Sequence, residues 1–140
     1  MGCDIHVHGE VKVAGLWHHY SAPYVSRDYN LFAYMAGVRA GNSGITPIAE
    51  PRGIPADISL ITWIDYMKMG TDGHTHSWLS GEEVVKLGEK LQECITQKES
   101  YYWIENIFGY VFGNGWDVKK YPDDYPHRVE DARIVFWFDN

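Results

Sequence analysis

The sequence predicts an α+β fold, with a small, mainly antiparallel sheet that includes the N- and C-terminal strands and packs against about three helices. Three observations carry this. Between Asp4 and Val13, Ile5, Val7, Val11 and Val13 share one parity, and Asp4, His6, His8, Glu10 and Lys12 share the other. Period two over ten residues is a half-buried strand. Arg133 to Asp139 is nearly all apolar, the composition of a strand covered on both faces. Apolar residues recur at helical spacing between these segments. Pairing the first strand with the last would close the domain and tie down both termini.

The elements follow in order. Gly15 turns the first strand, and Leu16–Tyr20 reads as its return strand. Ser26 or Asp28 caps a helix carrying Leu31, Met35 and Val38, which ends near Gly41. Residues 41–57 hold Gly41, Gly44, Pro47, Pro51, Gly53 and Pro55. They also hold Ile45, Ile48 and Ile54, which would pin an ordered loop. Asp57 or Ser59 starts a second helix running to about Met67, although its β-branched content leaves a strand open. Thr71–Trp78 reads as a loop that leads into a helix start. Ser80 and Glu83 form a capping box there, and Val84, Leu87, Leu91, Cys94 and Ile95 form the stripe behind it. Residues 100–112 suit a helix through Ile104, Ile107, Phe108 and Val111, whereas Gly113-Asn114-Gly115 suits a hairpin. Residues 117–131 are polar, with Pro122 and Pro126. No repeat is visible.

Composition narrows the function classes. The 140 residues make one domain, 1–140, and 45% hydrophobic with 22% charged residues argues against a disordered chain. No apolar run approaches the ~20 residues of a membrane span. The first residues lack a basic start and an apolar stretch, so no secretory signal is expected. His6 breaks the myristoylation pattern that Gly2 suggests. Nineteen acids against twelve bases give a net charge of −7, which argues against a long nucleic acid as partner. A small phosphorylated ligand remains compatible. Two cysteines, Cys3 and Cys94, fit a reducing, cytoplasmic setting. Twenty-one aromatic residues exceed what so small a core requires, which predicts a groove or a homo-oligomer contact.

Three constellations carry chemistry. Asp4, His6, His8 and Glu10 leave one side of a strand, and imidazoles two apart with carboxylates suit a divalent metal such as zinc or manganese. The alternative is a row facing solvent. Asp72, His74 and His76 repeat the spacing beside a glycine, either as a site or as a surface turn. Asp4, His6, His74 and His76 are the expected metal ligands, with Glu10 and Asp72 as catalytic carboxylates. Arg27, Arg39 and Arg52 form the third set. Arg52, next to Gly53 and between Pro51 and Pro55, suits a phosphate; paired with Asp57 or Glu50 it would instead hold the loop. Arg27 and Arg52, with Trp17 and Trp78 as stacking rings, are the expected ligand-binding residues. Tyr20 and Tyr24 are further rings that could stack on a base, and core packing is the alternative for each ring.

At these residues a resemblance appears. Met1-Gly2-Cys3-Asp4-Ile5-His6 is similar to the opening of small phage- or prophage-encoded proteins of unassigned role. The likeness extends to Arg27–Ala33, Val38-Arg39, Pro47–Gly53, Gly73–Leu79 and Phe136–Asn140. It implies a phage setting in the host cytoplasm and, by analogy, action against host defences; it brings no established reaction. The resulting expectation is a metal-dependent hydrolase acting on a nucleotide-like phosphodiester, with counter-defence as its setting. The alternatives are a module that sequesters a nucleotide signal without cutting it, and a structural or interaction protein.

Overall fold

The computed structural model describes residues 2–93 and 129–140. Four strands form one antiparallel sheet: β1 (Asp4–Val13), β2 (Leu16–Ser21), β3 (Gly73–Ser80) and β4 (Val129–Asp139). Their order is β2-β1-β4-β3. Among the described residues, three helices accompany them: α1 (Tyr29–Ala36), α2 (Leu60–Met69) and α3 (Gly81–Glu93). The terminal strands pair as expected. Asp4 lies opposite Asp139, His6 opposite Trp137 and Glu10 opposite Arg133.

Strand alternation gives the sheet two unlike faces. On one, Ile5, Val7, Val11, Ile134, Phe136 and Phe138 pack with Leu31, Phe32 and Met35 of α1 and with Val84, Leu87 and Leu91 of α3. Burial of these side chains is the main driving force of the fold, at roughly 1.5–3 kcal/mol each. The other face carries the polar parity of β1 together with Arg133, Val135 and Trp137. Residues of α2 pack there, so β1 is covered on both faces from Val7 to Val11. A half-buried strand was the expectation; a helix over the polar face makes the difference.

The helix ends follow local chemistry. Asp28 is the cap of α1, its side chain accepting from the Leu31 amide at 3.1 Å. The helix stops at Ala36, short of the expected end near Gly41, because Gly37 takes a left-handed conformation with φ of 72° and donates to the Ala33 carbonyl. The capping box at α3 forms as read. Ser80 N donates to Glu83 Oε1 at 2.9 Å, and Glu83 N donates to Ser80 Oγ at 3.3 Å. The segment after Ser59 is helix, not strand.

The largest departure is at Thr71–Trp78. Only Gly70–Asp72 is a turn; Gly73–Ser80 is strand β3, hydrogen-bonded to β4. Its sequence is polar and has little strand character, so pairing with the apolar β4 decides it. The 100–112 segment, Cys94, Ile95 and nearly all of the polar 117–131 segment lie outside the described residues.

An apolar surface is also present among the described residues. Leu60, Ile61, Trp63, Ile64 and Met67 of α2 are all exposed, while Thr62 is buried.

Candidate functional site

The polar face divides along its length. At one end, Asp4, His6, His8, Tyr24, Asp65 and Asp139 line an open pocket of about 510 Å³. The parity of β1 aims the first imidazole at this side, and the register with β4 brings Asp139 beside it. His6 Nε2 lies 2.6 Å from Asp139 Oδ2, a short, charge-assisted distance. The His6 side chain is 37% exposed and that of Asp139 26%. The carboxylate can only accept, so Nε2 carries the proton and Nδ1 keeps the basic lone pair of the neutral ring.

His8 sits deeper. Its Nδ1 is 3.0 Å from His19 Nε2 on β2, and its Nε2 is 3.3 Å from Asp65 Oδ2 on α2. With Asp65 accepting from Nε2, Nδ1 accepts from His19. Burial, reinforced by the neighbouring His19, pushes the His8 pKa down to about 4. The ring is therefore neutral at pH 7. Burial also lowers His19.

Asp4 is committed to an arginine. Arg27 Nε donates to Asp4 Oδ1 at 2.7 Å and Arg27 Nη2 to Oδ2 at 3.1 Å. This bidentate hydrogen bonding holds the Asp4 carboxyl below its usual range. The guanidinium lies against the Gly2 backbone, where a Cβ would run into it. Gly2, Asp4 and Arg27 thus form one interlocked corner at the mouth of the pocket.

The other expected site residues lie elsewhere. Glu10 is fully buried. It accepts from Arg133 Nε at 2.8 Å, Ser59 N at 2.9 Å and Thr62 Oγ1 at 2.9 Å. Arg133 also donates to Asp57 Oδ1 at 2.8 Å and lies 4.0 Å from the Trp17 ring centre. Glu10 and Trp17 thus fasten α2 and β2 to the sheet, and neither lines the pocket. Arg52 pairs with Glu83, donates to the Trp78 carbonyl at 2.8 Å and stacks 3.7 Å from the Trp78 ring centre. It holds its loop, as one alternative had it, but with a partner other than Asp57 or Glu50. Asp72 is exposed in the turn before β3 and does not line the pocket.

The expected four-ligand metal shell does not assemble. His74 stacks on Phe138, on the α1–α3 side, and bonds Thr75 and Asn140. His76 packs on the α2 side, its ring 6.0 Å from that of Trp137 and 5.2 Å from that of Tyr66. Two residues apart should share a face, but the register shifts between His74 and Ser77, and Thr75 adopts a φ of 54°. That bulge sends the two imidazoles to opposite faces. Trp137 lies between His6 and His76, and burial lowers the His76 pKa. Among the described residues, no group of three His, Cys, Asp or Glu side chains is placed to hold a metal ion.

Sequence reasoning missed Asp139, Asp65 and His19, whereas Tyr24, one of the candidate stacking rings, does line the pocket. Asp139 had a usable signal. Antiparallel pairing of the two terminal strands brings the last carboxylate of β4 beside the first polar residues of β1. Asp65 had none, because its position depends on where α2 docks. No protein-family profile, curated protein sequence or solved structure matches the chain.

Proposed function

We propose that the chain is a hydrolase that works by general acid–base catalysis, with His6 as the base and Asp139 as the group that orients it. The observation that carries this is the 2.6 Å His6–Asp139 contact on the wall of the open pocket. Asp139 fixes the tautomer, so His6 Nδ1 removes a proton from water as the water oxygen bonds to the substrate's electrophilic centre. The protonated ring then returns that proton to the leaving group. A metal-activated water has less support, because the expected ligands face different sides of the sheet. A phosphodiester substrate also has less support, because Arg27 and Arg52 are both taken by carboxylates.

The test is hydrolysis of p-nitrophenyl acetate and bis(p-nitrophenyl) phosphate by the purified chain. His6→Ala and Asp139→Asn should each lower the rate by roughly 10²–10⁴-fold, with chelator making no difference. A full rate in His6→Ala would overturn the reading.

The phage setting and counter-defence role rest on the resemblance of the opening motif alone. The homo-oligomer is supported by the exposed apolar stripe of α2. Light scattering that returns a 16.1 kDa particle at high concentration would remove it.

A further inference from the structure

We propose that the pocket selects a small organic cation, an ammonium or guanidinium compound without phosphate, held between Asp65 and the ring of Tyr24. This rests on the pocket being the substrate site of the proposed hydrolase. Three carboxylates line the pocket, and their partners differ. Asp4 is neutralised by Arg27, and Asp139, its side chain 26% exposed, accepts from His6 Nε2 at 2.6 Å. Asp65, its side chain 51% exposed, faces the His8 ring. That ring is uncharged at pH 7, so the negative charge of Asp65 is left uncompensated by its partner. Among the described residues, no arginine or lysine lines the pocket.

The second observation is independent of charge. Tyr24, in the segment between β2 and α1, lines the same pocket and is 90% exposed. An aromatic side chain left this open is unusual, since such rings normally bury most of their 150–250 Å². Its π face attracts a cation, and a carboxylate within the same cavity adds a charged acceptor. A volume of about 510 Å³ falls within the usual range for small-molecule sites, roughly 300–1,000 Å³. An anion would meet Asp65 without a compensating cation.

The experiment is calorimetric titration of the full chain with benzamidine, its neutral analogue benzamide, and benzoate. Benzamidine should bind at least tenfold more tightly than benzamide, and benzoate more weakly than either. Asp65→Asn should remove the preference for benzamidine, while Tyr24→Ala should weaken benzamidine roughly 2–30-fold. Both changes are at exposed positions, and unaltered melting temperatures would confirm an intact fold. Equal binding of benzamidine and benzamide, no binding of benzamidine, or an undiminished preference in Asp65→Asn would each overturn the proposal. Esterase rates in the same preparations separate the two readings. Cation selectivity with a full rate in His6→Ala removes the base and leaves the ligand class standing. Loss of rate in His6→Ala without cation selectivity removes the ligand class alone.

Discussion

The two ends of the polar row on β1 began as one pattern and became two different things. At the Glu10 end, the N-terminus of α2 closes over the sheet. Glu10 is enclosed by Arg133, the Ser59 amide and the Thr62 hydroxyl. At the His6 end the helix has passed by, and the same parity opens onto a pocket. Charge at the first end is enclosed and matched; at the second it is reachable. Identical spacing in a strand therefore says which side a residue faces, and the element laid over that side decides between anchorage and chemistry.

The comparison breaks most visibly at the buried ion pair. Arg133→Met leaves Glu10 without its cation, and removal of one partner of a buried pair costs about 3–5 kcal/mol. Urea denaturation should show a loss of that order. The single change His6→Ala, at a partly exposed position, should shift the midpoint far less. Comparable losses at both positions would erase the distinction between the two ends.

Acid should act next, through the middle of the row. The His8 pKa falls from the ordinary 6.5 to about 4 in the folded chain. Above pH 6.5 neither state protonates this ring. Between about 6.5 and 4 the unfolded chain takes up the proton and the folded chain does not, so stability falls as pH falls. The loss attributable to His8 is on the order of 3 kcal/mol. Denaturation midpoints measured across that window should decline, and the decline should be shallower in His8→Phe.

A smaller effect sharpens the anchoring end. Thr62→Val keeps the volume but removes a donor to the buried Glu10 carboxylate. Hydrogen bonds to charged groups contribute about 1.5–3 kcal/mol, so thermal unfolding should report a loss in that range, below that of Arg133→Met. The smallest effect belongs to the open end. Arg27→Ala removes an exposed ion pair of the kind that contributes little, and no resolvable change in melting temperature is expected.

Much of the sheet was legible in the sequence. The alternation of β1 and the apolar run of β4 gave their pairing, and that pairing places Asp139 beside His6. Asp28, Ser80 and Glu83 announced their caps because capping is settled within three residues. The site was less legible. His74 and His76 were two apart and looked like partners, but pairing with β4 imposed a bulge at Thr75 that no local spacing encodes. Glu10 looked as available as His6 until α2 covered it.

By itself, then, the sequence determined the α+β class, the two terminal strands, the helix start at Ser80 and the side of β1 on which the histidines lie. These depend on short-range periodicity and on hydrogen bonds between near neighbours. Only the tertiary structure decided that Gly73–Ser80 is a strand, that Arg27 belongs to Asp4 and Arg133 to Glu10, and that Asp65 joins the pocket wall. Each of these depends on contacts between segments distant in the chain, where register and helix docking select among partners of equal chemistry.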